Sequence, residues 1–138
     1  MGCADAGCGS GILAISAAKL GFEQIRGFDI DGDAVRIAEE NAEINGVSEI
    51  RFSVGGLEKG LSAEGSDCLL ANILANILVQ NSELLIDSMA PGGWLILSGI
   101  LGTEVEEVAD HFRKADCWTN LRIDTLDEWA SVRLEKVR

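Results

Sequence analysis

Asp5-Ala6-Gly7-Cys8-Gly9-Ser10-Gly11 lies between a short strand-like run, Cys3 to Ala6, and a helix-period segment, Ile12 to Leu20, that stops at Gly21. A strand–turn–helix junction of this kind must bend sharply and bring backbone close to a ligand. Glycine adopts positive φ and carries no Cβ to block that approach. The helix that follows aims its free N–H groups at the same space. The spacing is informative. A dinucleotide fingerprint has glycine at its first, third and sixth positions. Here the sixth position is Ile12, and the third glycine has moved up to Gly11. That tighter loop argues against a nicotinamide-dependent dehydrogenase.

Beyond the loop, Ile25 to Ile30 reads as a second strand, ending in Gly27-Phe28-Asp29-Ile30-Asp31. An acid at that edge is placed to accept hydrogen bonds from ribose hydroxyls. Asp29 is the choice, because it closes the strand, and Ile30 would then lie against an adenine face. Asp31 is expected to cap the next helix, Ala34 to Asn45, with Val35, Ala38 and Ala42 on one face and Gly46 at its end. Ile50, Phe52 and Val54 alternate with polar residues and mark a third strand. Asp67 to Ala71, almost wholly apolar, fits a strand covered on both faces. One helix is expected over Ala75 to Met89. Pro91-Gly92-Gly93 then turns the chain into a fifth strand, Trp94 to Ser98. Thr103 and Glu106 read as a capping box, opening a helix that ends near Ala115. Thr119 to Ile123 and Trp129 to Val137 form a final antiparallel pair. Strand and helix alternate as far as Ala115, which is the pattern of a parallel α/β sheet with helices on both faces. Ligands of such sheets sit beyond the C-terminal strand ends, where strand order reverses. Asn72, with an amide that both accepts and donates hydrogen bonds, falls at such an end. The loop Gly55 to Gly65 is expected to be the most flexible stretch.

The 138 residues, 47% of them hydrophobic, suffice for one core and exclude global disorder. Eleven basic against 23 acidic residues give a net charge of −12. A field of that sign repels phosphate backbones, so direct nucleic-acid binding is not expected, and a basic partner or cationic ligand suits it better. Cys3, Cys8, Cys68 and Cys117 form no CxxC pair, and His111 is the single histidine. The cysteines read as reduced, mostly buried residues of a cytoplasmic protein, with no metal site. No apolar run approaches the roughly 20 residues of a membrane span, and residues 1–20 lack the basic-then-apolar layout expected of a signal peptide. His111 is expected on the surface, and Trp94, Trp118 and Trp129 in core or sheet-edge packing.

Residues 5–15, 27–31, Ala-Asn-Ile-Leu-Ala-Asn at 71–76, Pro-Gly-Gly-Trp-Leu-Ile-Leu-Ser-Gly-Ile-Leu at 91–101 and Glu-Trp-Ala at 128–130 together resemble one family. It is the catalytic domain of the ribosomal protein methyltransferases called PrmA, class I S-adenosylmethionine-dependent enzymes that modify the stalk-base protein L-eleven. The resemblance implies a Rossmann-like, mostly parallel seven-stranded sheet with an antiparallel last strand. It implies S-adenosyl-L-methionine as cofactor and a basic ribosomal protein as partner, methylated on lysine side chains or its N-terminal amine. Asp5 would belong to the cofactor site. Gly7 would contact the cofactor through its backbone, with Gly9 and Gly11 shaping the loop. Asp29 would hold the ribose, and Asn72 would lie beside the methionine portion and the incoming amine. The amide oxygen of Asn72 and the backbone carbonyl of Ile73 would align that amine.

Two features depart from this pattern. Many methyltransferases carry an acid after the third strand to hold the adenine amine; here the place is Gly55-Gly56-Leu57, so that contact must come from backbone or be absent. The family also has an N-terminal recognition domain and a connecting segment over the cofactor. Residues 1–138 are therefore expected to be an N-terminally truncated catalytic domain, its first strand cut to Gly2-Cys3-Ala4 with little apolar content for a sheet centre. A methyltransferase with a small-molecule acceptor and a non-catalytic cofactor-binding remnant stand as alternatives.

Overall fold

A computed structural model describes residues 1–61 and 65–138; residues 62–64 of the expected flexible loop lie outside the described set. Seven strands form one sheet: β1 (Gly2–Ala6), β2 (Gln24–Asp29), β3 (Arg51–Val54), β4 (Ser66–Asn72), β5 (Met89–Leu101), β6 (Trp118–Leu126) and β7 (Trp129–Lys136). Their spatial order is β3-β2-β1-β4-β5-β7-β6. The first five pair in parallel, and β7 runs antiparallel to both β5 and β6. The expected seven-stranded α/β architecture is thus observed. The order reverses between β1 and β4, so the switch point lies beyond the ends of those two strands.

β1 reaches further than the expected Gly2-Cys3-Ala4 and occupies the sheet centre, with five residues in register with β2. Its small residues are what that position requires. Cys3, Ala4 and Ala6 are essentially fully buried, and their side chains alternate between the two covering layers. Ala4 and Ala6 join Leu69, Ala71, Leu78, Leu85 and Phe112 on one face. Cys3 joins Ala14, Ala17, Ile25 and Cys68 on the other.

Helices α1 (Ile12–Lys19) and α2 (Gly32–Ile44) lie close to the expected bounds. The Asp31 side chain accepts from Asp33 N at 2.9 Å and caps α2 as expected. After β3 a short helix, α3 (Leu57–Gly60), occupies part of the expected loop. Three expectations need correction. The helix foreseen over Ala75 to Met89 is two, α4 (Ala75–Gln80) and α5 (Ser82–Asp87), broken at Asn81. Asn81 Nδ2 donates back to Ile77 O at 2.9 Å, offering the backbone a local alternative to a continuous helix. The fifth strand begins at Met89, not Trp94, because Pro91-Gly92-Gly93 forms an irregularity within it. Ser66 pairs with Met89 and Cys68 already with Trp94. A Cβ at Gly93 would lie 3.0 Å from the carbonyls of Ser66 and Asp67. The capping box does not form: α6 (Val105–Arg113) starts from Glu104, with no side-chain cap. The Glu104 carboxylate accepts from Leu101 N at 3.1 Å instead. No helix among the described residues is long and apolar enough to cross a membrane.

Candidate functional site

The glycine loop is held from beneath and from the side. Gly7, Gly9 and Gly11 have φ of 70°, 52° and 85°, a region L side chains avoid. Gly7 N and Cys8 N both donate to Phe28 O at 2.9 Å, tying the loop to the end of β2. Asn41 Nδ2 donates to Ser10 O at 3.0 Å, tying it to α2. The three glycines do different work. A Cβ at Gly7 would sit 2.5 Å from Ile73 Cγ2, so this glycine lets the segment after β4 press onto the loop. A Cβ at Gly11 would meet Ala38 and Phe52 within 3.2 Å, so this one lets α1 and α2 close up. Nothing lies within 4 Å of the Cβ direction of Gly9, which faces open space.

Asp29 ends β2 aimed at that loop. Its Oδ2 accepts from Gly9 N at 3.0 Å and its Oδ1 from Asp31 N at 3.0 Å. Each oxygen keeps a further lone pair for a ligand hydroxyl. Next to it Ile30 is 80% exposed, an apolar side chain without a covering partner. A Cβ at Gly56 would fall 3.8 Å from Ile30 Cγ2. The acid-free segment after β3 therefore borders the exposed Ile30 side chain.

Asp5 is placed differently from the other expected site residues. It is 1% exposed and sits under the loop rather than in the cleft. Its Oδ2 accepts from Ala14 N at 3.0 Å, and its Oδ1 is buried without a hydrogen bond. Burial pushes its carboxyl up to about 6; the Ala14 N–H opposes the shift and the nearby Asp29 charge adds to it. Asp5 positions the first turn of α1, and through it the loop.

Asn72 and Ile73 follow β4 on the other side of the switch point. The Asn72 side chain is exposed, and its Oδ1 lies against Gly99 of β5, where any Cβ would collide with it. The same position is 3.7 Å from Ile73 O. The two acceptor atoms therefore converge over one glycine. Asn72 opens onto a 490 Å³ cleft, walled also by Ser98, Gly99, Asp124, Trp129 and Ser131, among others. Trp129, expected in core or sheet-edge packing, is 51% exposed and lines this cleft. Trp94 and Trp118 do pack, one under the Arg133 guanidinium and one donating Nε1–H to Phe112 O at 2.8 Å. His111, expected at the surface, is half-buried on α6. Sequence reading assigned no role to Gly99 or Asp124. Gly99 was detectable as the glycine inside an otherwise apolar strand; Asp124 carried no local signal.

The model of one protein family, ribosomal protein L11 methyltransferase (PrmA), matches residues 2–137. A ribosomal protein L11 methyltransferase of Hamiltonella defensa subsp. Acyrthosiphon pisum is 41% identical over 134 residues, covering 96% of this chain and 42% of that protein. Its counterpart in Chromohalobacter salexigens is 46% identical over 110 residues, covering 80% and 36%. The chain thus spans about four-tenths of the length of these relatives. Among solved structures, a ribosomal protein L11 methylase from Lactobacillus delbrueckii subsp. bulgaricus superposes with a TM-score of 0.89 at 29% identity, over 99% of this chain and 70% of that one. An RNA methyltransferase from Salinibacter ruber, in complex with S-adenosyl-L-homocysteine, shares the fold with a TM-score of 0.77 at 21% identity, over 99% and 81%. Residues 2–137, and the loop, acid and asparagine they bring to one switch point, identify this chain as a member of the ribosomal protein L11 methyltransferase (PrmA) family.

Proposed function

We propose that residues 1–138 form a catalytic domain that binds S-adenosyl-L-methionine and transfers its methyl group to an amine of a ribosomal protein, a lysine side chain or the N-terminal amine. The observation that carries this reading is the meeting of the two half-sites. The open face of Gly9 and the Asp29 carboxylate lie on one side, and the convergent Asn72 and Ile73 oxygens on the other. The two are held together by the Gly7–Ile73 contact.

The residues fit the cofactor. Asp29 accepts from the ribose hydroxyls and Ile30 lies against the adenine. The Gly7 N–H is already spent on Phe28 O, so Gly7 offers its carbonyl. When bound, the cofactor supplies an electrophilic methyl on a sulfonium. The protein needs no covalent nucleophile and must hold donor and acceptor in line, which lowers the barrier through proximity. The lysine arrives as a cation and must lose its proton before it attacks; covering of the cleft by the docked partner would desolvate the amine and lower its pKa from about 10.4. Asn72 Oδ1 and Ile73 O accept the amine's N–H bonds and aim its lone pair.

The acceptor cleft suits a cation. Asp124 is on its wall, and Asp127 and Glu128 form the turn between β6 and β7 at its rim. With a chain charge of −12, a lysine-rich ribosomal protein is the complementary partner, and such an acceptor implies a cytoplasmic reaction. Transfer of labelled methyl from S-adenosylmethionine to purified large-subunit proteins tests the proposal. Label on an amine of ribosomal protein L11, transferred about a hundredfold more slowly by Asn72→Ala, is expected. Absence of heat on titrating folded chain with S-adenosylhomocysteine would overturn it.

A further inference from the structure

The N-terminal ends of β1 and β4, at the sheet edge opposite the glycine loop, carry two thiols that methyl transfer leaves unused. Cys3 and Cys68 stand directly opposite each other in the parallel β1–β4 ladder. Both belong to the buried cluster under α1, with Ala14, Ala17 and Ile25, so both side chains leave the same face of the sheet. Adjacent strands run about 4.8 Å apart, inside the roughly 4.4–6.8 Å Cα separation that a disulfide spans. Both residues are free thiols. A 410 Å³ cavity opens on this edge, and Cys3 is part of its wall, with Gly2, Arg26 and Ser66.

We propose that Cys3 and Cys68 are a peroxide-responsive dithiol that closes to a disulfide joining β1 to β4. A lone buried thiol is inert because burial disfavours the thiolate. This pair differs because each thiol has a second one directly across the ladder. The neighbouring Cys3 thiol holds the Cys68 thiol below its ordinary pKa, while Cys68 and burial push Cys3 up. The cavity brings a small neutral oxidant of the hydrogen peroxide class to the Cys3 wall, and Cys68 stands directly across the ladder from it. The Cys68 thiolate attacks one peroxide oxygen, the O–O bond breaks, and hydroxide leaves with Cys68 as the sulfenic acid. The Cys3 sulfur then attacks the Cys68 sulfur. The S–S bond forms, the S–OH bond breaks, and the Cys3 proton leaves with hydroxide as water. In sum two thiols and one peroxide give one disulfide and two waters.

The test is to treat the chain with stoichiometric hydrogen peroxide, alkylate the remaining thiols and map peptides without reduction. The expected result is loss of two of the four thiols and a cross-linked peptide pair. Tandem fragmentation should assign the link to Cys3, not Cys8, on one side and to Cys68 on the other. Dithiothreitol should restore all four thiols, and the oxidised form should melt at a higher temperature because the link closes a long loop. Cys3→Ser and Cys68→Ser should each abolish the cross-link. Four alkylatable thiols after oxidation, sulfinic acid without a cross-link, or only intermolecular links through Cys117 would each overturn the proposal. The wild-type peptide map decides the matter even if a variant fails to fold.

Discussion

Replacing Gly7 with alanine puts two separable demands on the fold. The first is conformational: φ is 70°, and an L side chain in the left-handed region costs about 1–2 kcal/mol. The second is steric: the new methyl would lie 2.5 Å from Ile73 Cγ2, and inserting carbon into a packed contact costs about 1–3 kcal/mol. Gly7→Ala should therefore lose about 2–5 kcal/mol, a large part of the ~5–15 kcal/mol typical of a domain. Gly9→Ala separates the two terms. Its φ is 52° but nothing lies within 4 Å of its Cβ direction, so only the conformational ~1–2 kcal/mol applies. Urea denaturation of both variants measures the difference, a midpoint shift on the order of 1 M at an ordinary slope. Ile73→Ala in the Gly7→Ala background should recover about 1–3 kcal/mol as a coupling energy. Affinity for S-adenosylhomocysteine should fall with Gly9→Ala out of proportion to its small loss of stability, because its methyl enters the space the cofactor takes. Equal stabilities for the two alanine variants, or zero coupling to Ile73, would refute the assignment of Gly7 to the Ile73 contact.

Asp5 gives a pH test. Its folded pKa of about 6 lies above its unfolded value, so the native state holds the proton more tightly. Its contribution is complete below about pH 4 and is lost as pH rises to about 6, by at most roughly 3 kcal/mol. The pH dependence of unfolding in wild type minus that in Asp5→Asn should show this decline, and a difference that rises with pH would contradict it. Asp29→Ala removes charge-assisted bonds to Gly9 N and to the ribose. Calorimetry should find S-adenosylhomocysteine bound at least about tenfold more weakly. Asn72→Ala should lower kcat by about two orders of magnitude through lost alignment of the amine, read by steady-state methyl transfer. Trp129→Ala should leave the melting temperature nearly unchanged, because the side chain is 51% exposed, while raising KM for a lysine-bearing peptide several-fold.

The succession of strands up to β5 was legible because each element announces itself locally. The glycine loop, the alternation at Ile50 to Val54 and the apolar run into Asn72 are contiguous signals. Asp31 as a cap and Asp29 as the inward acid followed from their positions relative to one strand end. What could not be read depended on neighbours distant in sequence. Thr103 and Glu106 match a capping box in spacing, but Glu104 reaches back to Leu101 N at 3.1 Å and starts the helix differently. Ala75 to Met89 has helical composition throughout, and only the Asn81 side chain, competing for Ile77 O, divides it. The small residues of β1 looked too weakly apolar for a central strand. Between two helical layers and two neighbouring strands, small is what fits.

The acceptor half of the site shows the same limit more sharply. Asn72 was identifiable at its strand end, yet its direction is set by Gly99, 27 positions along the chain, whose missing side chain makes room for the amide oxygen. Trp129 carries the composition of a packing residue. It faces the cleft because the antiparallel β7 pairs Trp129 with Leu101 at the far end of β5, beyond the ladder's register shift. An aromatic ring, an asparagine and an acid from β6 thus meet only once β7 has inserted between β5 and β6. The proposed cofactor half, concentrated in one βαβ unit, can be read from local sequence. The proposed acceptor half is assembled from strands β4 to β7 and depends on their registers. On that proposal, a change at Gly99 should disturb methyl transfer while leaving S-adenosylhomocysteine affinity, carried by Asp29 and Gly9, unchanged.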